Sequence, residues 1–189
     1  DHIRPQVLDG ATVFVQSGGA IVREYLFTDT EDAYTAVSVS SLSSHLISTP
    51  IEMNTFYGAI DRSESYIFVI NDAGNMAVFN SNRAEKRAGW VEFTSQGNFH
   101  STVTIDDRVF ANVAFPMGDD STRIVLCEFE TGFNTDMSKT YTATSTNSGI
   151  FTVSSQFANG AVVSVISGSD YLGEFTVSGG NVDVSAVEL

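Results

Sequence analysis

Apolar stretches of strand length, broken by polar turn residues, recur along the chain, and the clearest is Tyr66-Ile67-Phe68-Val69-Ile70-Asn71-Asp72-Ala73-Gly74-Asn75-Met76-Ala77-Val78-Phe79-Asn80, two apolar arms around a polar turn. The arms are β-branched and aromatic, which suits a half-buried pleated surface. Asn71-Asp72-Ala73-Gly74-Asn75 between them supplies turn residues and a glycine free to take positive φ, so the stretch predicts a hairpin. Residues 12–16 and 20–27, around Ser17-Gly18-Gly19, predict a second hairpin with Ile21, Arg23, Tyr25 and Phe27 on one face. Asp29-Thr30-Glu31-Asp32-Ala33-Tyr34 reads as an acidic loop. Ser41-Leu42-Ser43-Ser44-His45-Leu46-Ile47, closed by Pro50, reads as a short helix or turn. Strands follow at 52–57, at 89–93 after the charged link 83–87, and at 100–105, 108–115 and 123–129. Asp106-Asp107 and Met117-Gly118-Asp119-Asp120 are the turns between the last three.

Strands in fours, separated by polar links every ~40–50 residues, are the rhythm of propeller blades. One partial and two fuller blades fit before residue 131. After Glu130 charged residues thin out, and Ser, Thr, Gly and Val dominate. Five short strands are expected there, at 140–144, 149–153, 161–166, 174–177 and 181–184, with Asn159-Gly160 and Gly179-Gly180-Asn181 as hairpin turns. The expected fold is therefore all-β: blade-like antiparallel sheets (a partial β-propeller) over 1–135, then a small antiparallel β-barrel or sandwich over 136–189. The break is expected near 131–140.

Composition narrows the function. The formal charge is −14, with eighteen acids and eight bases in residues 1–130 and five acids and one base, Lys139, in 131–189. Such a surface repels phosphate backbones, so nucleic acid is not an expected partner. Solubility and freedom from self-association are the plain account of the acidity. No apolar run approaches the ~20 residues that span a bilayer, so no membrane partner is expected either. The chain opens Asp1-His2-Ile3-Arg4-Pro5 without a methionine or a signal peptide, as an excised piece or a processed form would. A single cysteine, Cys127, leaves no internal disulfide, and its strand setting predicts a buried inert thiol.

Catalysis needs convergent groups, and the sequence offers few. His2, His45 and His100 are scattered, none in metal-ligand spacing with another His or Cys. No G-x-S-x-G elbow, P-loop or dinucleotide fingerprint is present. His45 among its serines makes a weak nucleophile pair, because serine is common throughout. Asp29, Glu31 and Asp32 alternate as calcium ligands can, but the loop lacks the glycine and terminal glutamate of an EF-hand, and a solvated turn is the default. Asp106-Asp107 and Asp119-Asp120 are turn residues that spacing alone does not make a glycosidase pair. Trp90 in a strand is core before it is a sugar platform. No catalytic, cofactor-binding or metal residue is expected, and no enzyme.

Two stretches carry a resemblance. Ala11-Thr12-Val13-Phe14-Val15-Gln16-Ser17-Gly18-Gly19-Ala20-Ile21-Val22-Arg23-Glu24-Tyr25, the acidic loop, Tyr34, Ser41-Leu42-Ser43-Ser44-His45-Leu46 and Ile51-Glu52-Met53 together resemble a segment of the tail tubular or nozzle subunits of short-tailed phages. That family's pattern is a strand, R-x-x-R-E after a glycine turn, a tyrosine, L-s-x-H-L and an Ile-to-Met stretch; Ala20 stands here near the place of its first basic residue. Residues 157–165 through 175–182 are similar to the small β-module that follows the blades in the same proteins. Family members are longer than this chain. The resemblance implies a virion location and a non-enzymatic structural role in a phage tail. The partners would be copies of the chain or other tail proteins, through exposed blade edges and the Ser/Thr-rich module. The alternative is a β module for a host-surface glycan, using loops at one end of the sheets.

Overall fold

The computed structural model describes residues 3–29, 31–57, 64–82, 85–117, 121–130, 138–142, 149–154 and 157–187. With 59% strand against 4% helix, the protein is all-β. The chain divides into two compact units, one of residues 1–114 with 126–132 and one of 115–125 with 133–189. The division falls inside a hairpin, and most of the expected break, 131–137, lies outside the described residues.

Three antiparallel meanders come first in the chain, two of them within the first unit and the third with its residues 115–125 assigned to the second. Strands β1 (Gln6–Leu8), β2 (Ala11–Val15), β3 (Val22–Thr28) and β4 (Ala33–Ser38) form the first sheet in chain order. Strands β5 (Pro50–Tyr57), β6 (Ser65–Asn71), β7 (Met76–Asn82) and β8 (Arg87–Phe93) form the second, also in order. Strands β9 (Asn98–Ile105), β10 (Arg108–Pro116) and β11 (Thr122–Glu128) form the third. Each meander follows from short turns: Gly18 and Gly19, both at positive φ, close the β2–β3 hairpin, where Gln16 N–H donates to Ile21 O at 2.8 Å. Gly74, at φ +89°, closes β6–β7.

Period-two alternation then assigns the faces. In the first sheet Leu8, Ala11, Val13 and Val22 point inward, and the first sheet's core face meets Met53, Ile67, Val69, Ala77 and Phe79 of the second. The second sheet is buried on both faces, which is why 65–71 and 76–82 read as near-continuous apolar runs. Its other face carries Phe68, Ile70, Met76 and Val78, and the third sheet's buried residues include Phe99, Val109, Ala111 and Val113. The first strands lie side by side. Gln6 Nε2 donates to Met53 O (3.2 Å), linking β1 to β5, while Thr104 Oγ1 donates to Thr55 O (2.9 Å), linking β9 to β5.

Strand β4 departs from the expected acidic loop. Only the turn at 29–32 is a loop, with Asp32 at positive φ; Ala33 onward pairs with β3 along Thr28↔Ala33, Phe27↔Tyr34 and Tyr25↔Ala36. The expected short helix is a 3-10 segment, Ser41–Leu46, interrupted at Ser43.

In the second unit, β12 (Ile150–Thr152) pairs with β15 (Asn181–Asp183), and β13 (Val162–Ser167) pairs with β14 (Asp170–Thr176). They surround Val153, Val177, Val182 and Val184, and no closed barrel is found among the described residues. Gly179 and Gly180, both at positive φ, make a tight turn in which Ser178 and Asn181 exchange backbone bonds of 2.9 and 3.0 Å. Asn159-Gly160 is a turn, with Gly160 at φ +85°, but it does not join paired strands: the hairpin here closes at Gly168, between β13 and β14. Residues 140–142 are irregular rather than a strand, and 143–144 lie outside the described residues.

Candidate interaction surfaces

The titratable and nucleophilic groups stay apart. His45 is exposed on the 3-10 segment, His100 is exposed on β9, and His2 lies outside the described residues. Cys127 on β11 is in no disulfide, and its thiol is half-buried rather than buried as expected. Asp29, Glu31 and Asp32 sit at the β3–β4 turn, where Glu31 N–H donates to Thr28 O at 3.2 Å; Thr30 lies outside the described residues. Asp106 and Asp107 form the β9–β10 turn, and Asp119-Asp120 lie outside the described residues. Among the described residues no three His, Cys, Asp or Glu side chains gather as a metal site. Trp90 is packed against Phe79 (ring centroids 5.0 Å), and its Nε1 donates to Val39 O at 2.7 Å, so the indole serves the core rim.

Two concavities among the described residues each lie inside one unit. The first, of about 310 Å³, runs beside β1, β5 and β9 and is lined by Arg4, Gln6, Glu52, Asn54 and Thr102. Its polar groups are largely engaged: Glu52 Oε1 accepts from Thr102 N (2.8 Å) and Oγ1 (3.2 Å), and Asn54 Nδ2 donates to Thr104 Oγ1 (3.2 Å). The second, of about 350 Å³, is lined by Ile150, Phe175, Thr176, Ser178, Asn181 and Asp183. There Ser185 donates to Asp183 and holds its carboxyl below the ordinary 3.8.

The groups whose protonation is displaced are structural too. Arg108 donates two bonds to Glu128, which holds the Glu128 carboxyl below its ordinary value and raises the guanidinium above its own. The guanidinium also lies 5.0 Å from the centroid of the Phe110 ring. Burial, then the charge of Asp9, raises the Tyr57 hydroxyl, which donates to Val7 O.

Among the described residues, exposed apolar side chains gather on the outward sides of the first and third sheets. On the first sheet, register places Val7 opposite Thr12, Thr12 opposite Tyr25 and Phe27 opposite Tyr34, all on the side away from the core. Tyr25 and Tyr34 stack at 5.3 Å, and Phe27 meets Tyr34 edge-on at 5.4 Å, yet all three rings remain exposed. On the third sheet, Val103 opposes Phe110 and Ile105 opposes Arg108 on its outward side, and Val103, Ile105 and the β11 residue Leu126 are exposed. Strand β4 adds an open edge with Tyr34, Ala36 and Val37 exposed. The Tyr25 and Phe27 face was legible as an alternation. Tyr34 was not, because the acidic residues before it drew the loop too far.

Among the described residues no helix is long and apolar enough to cross a membrane. No protein-family model matches the chain, and no curated protein matches it in sequence.

Proposed function

We propose that the chain is a non-enzymatic structural component of a phage tail, acting in the virion through contacts with copies of itself or with other tail proteins, and that its three meanders are blades of a partial β-propeller. The observation that carries the proposal is the pair of apolar outer faces, Val7, Tyr25, Phe27 and Tyr34 at one end of the stack and Val103, Ile105 and Leu126 at the other. An exposed apolar face of this kind marks a site of contact. The neighbouring first strands β1, β5 and β9 support the blade arrangement, since blades surround their axis with equivalent strands. The resemblance of residues 11–53 and 157–182 to tail tubular or nozzle subunits supplies the setting. Peptide mass spectrometry of purified particles of the encoding phage tests it: the chain should be present in stoichiometric amount with other tail proteins. Its absence from intact particles overturns the proposal.

A host-surface glycan is the second reading, favoured by the exposed Tyr25, Phe27 and Tyr34 rings. Against it, Tyr25 and Tyr34 spend a face on each other. A glycan array decides: binding that disappears in Tyr34→Ala would replace contact with protein by contact with sugar.

A further inference from the structure

Along the three meanders one packing step occurs twice. The second sheet lies on the first across a shared core, the third approaches the second where the Phe68 and Phe129 rings lie 5.9 Å apart, and each time the leading strand of one meander is bonded to the leading strand of the next. Repeating that step once more requires a sheet on the outward face of the third, and repeating it backwards requires one on the outward face of the first. Both faces are built for it. The first presents Val7 and Tyr34, 58% and 64% exposed; the third presents Ile105 and Leu126, 55% and 64% exposed.

We infer that these two faces bind each other in different copies of the chain, the aliphatic face of one third sheet seating on the aromatic face of the next copy's first sheet. The step continues the interface already formed between the second and third sheets, so the occupant is a sheet entering through the side that a first sheet offers. The two faces differ, so the contact is head-to-tail rather than self-paired, and a head-to-tail contact closes into a ring when its rotation closes. The three meander sheets of each copy give six in a pair, within the roughly four to eight blades of closed propellers. The inference deepens the proposed contact function and rests on it for the blade arrangement.

Light scattering after gel filtration of the full chain, at on the order of 100 μM and so well above a micromolar Kd, tests it. The wild type should run as a pair. Ile105→Lys and Tyr34→Lys, each on one exposed face, should each run as single chains. Mixed one to one they should recover a pair, because the intact aliphatic face of Tyr34→Lys meets the intact aromatic face of Ile105→Lys. Circular dichroism and melting check that each variant is folded, and Leu126→Gln with Phe27→Gln repeats the mixing with milder changes. A single-chain wild type, variants that stay paired, or a mixture that stays single overturns the inference. Retained pairing in both variants would point instead to the open edge of β4. Particle mass spectrometry is independent: a tail component that runs as single chains loses this inference and keeps the function.

Discussion

Asn71 shows how much one side chain can hold. It is fully buried, its Oδ1 accepts from Ser48 N (3.0 Å), and its Nδ2 donates to Leu46 O (2.9 Å), so it ties the segment before β5 to the turn after β6. Its own backbone oxygen takes Gly74 N at 2.9 Å. Asn71→Leu would remove the partner of the N–H of exposed Ser48 and of the C=O of half-buried Leu46, a loss of about 0.5–1.5 kcal/mol per hydrogen bond. Urea unfolding should show a loss of about 1–3 kcal/mol; no measurable loss would mean that water replaces both bonds. Gly74 is the second case. Its φ of +89° disfavours any Cβ, and a Cβ there would lie 2.5 Å from Asn98 Cβ. Gly74→Val should therefore cost well over about 1 kcal/mol, and Asn98→Gly, which removes the clashing Cβ, should restore part of that but not all. Full restoration would assign the whole cost to the clash. The positive φ of Gly74 was legible in the turn residues around it. The role of Asn71 was not, because its partners lie 23 and 25 positions away.

At the scale of elements, apolar patterning located strands where at least one face is buried and the turn is glycine-rich, as in β2–β3 and β6–β7. It failed where neither condition held. Strand β4 is exposed on both faces, so Ala33-Tyr34-Thr35-Ala36-Val37-Ser38 shows no buried period, and its hairpin turns on Asp32 rather than glycine. The β12–β15 pairing was illegible for another reason: nothing local to residues 150–152 names a partner at 181–183. Pairings of that kind are fixed by the core, here Val153, Val177, Val182 and Val184. The Arg108–Glu128 pair links β10 to β11 at the surface, and it makes a pH prediction. The Glu128 carboxyl is held below its ordinary 4.5, first by the Arg108 hydrogen bond. A lowered carboxyl contributes stability above its unfolded value, and that contribution is lost as pH falls through the folded value. The melting temperature of Arg108→Met should thus lie slightly below wild type near about pH 6, and the two should converge below about pH 4. The effect is small because the pair is exposed. A gap that widens as pH falls would refute the assignment.

For the whole molecule, the charge of −14 and the apolar end faces pull in opposite directions. Like charge on every copy opposes association, and it does so most at low ionic strength, where the screening length is long. The proposed contact is apolar: Val7, Tyr25, Phe27 and Tyr34 against Val103, Ile105 and Leu126, with the nearby Arg108 already engaged by Glu128. Burial of such surface hardly depends on moderate salt, whereas the repulsion between copies falls as salt rises. Association should therefore strengthen from about 20 mM to about 300 mM salt, over which screening shortens from roughly 20 Å to under 8 Å. Contacts held by ion pairs across the interface would weaken over the same range. Sedimentation velocity at matched protein concentration separates the two cases, and Ile105→Lys supplies the control, staying single at every salt concentration. A pair that dissociates with added salt would place the contact on charged groups, away from the two apolar faces.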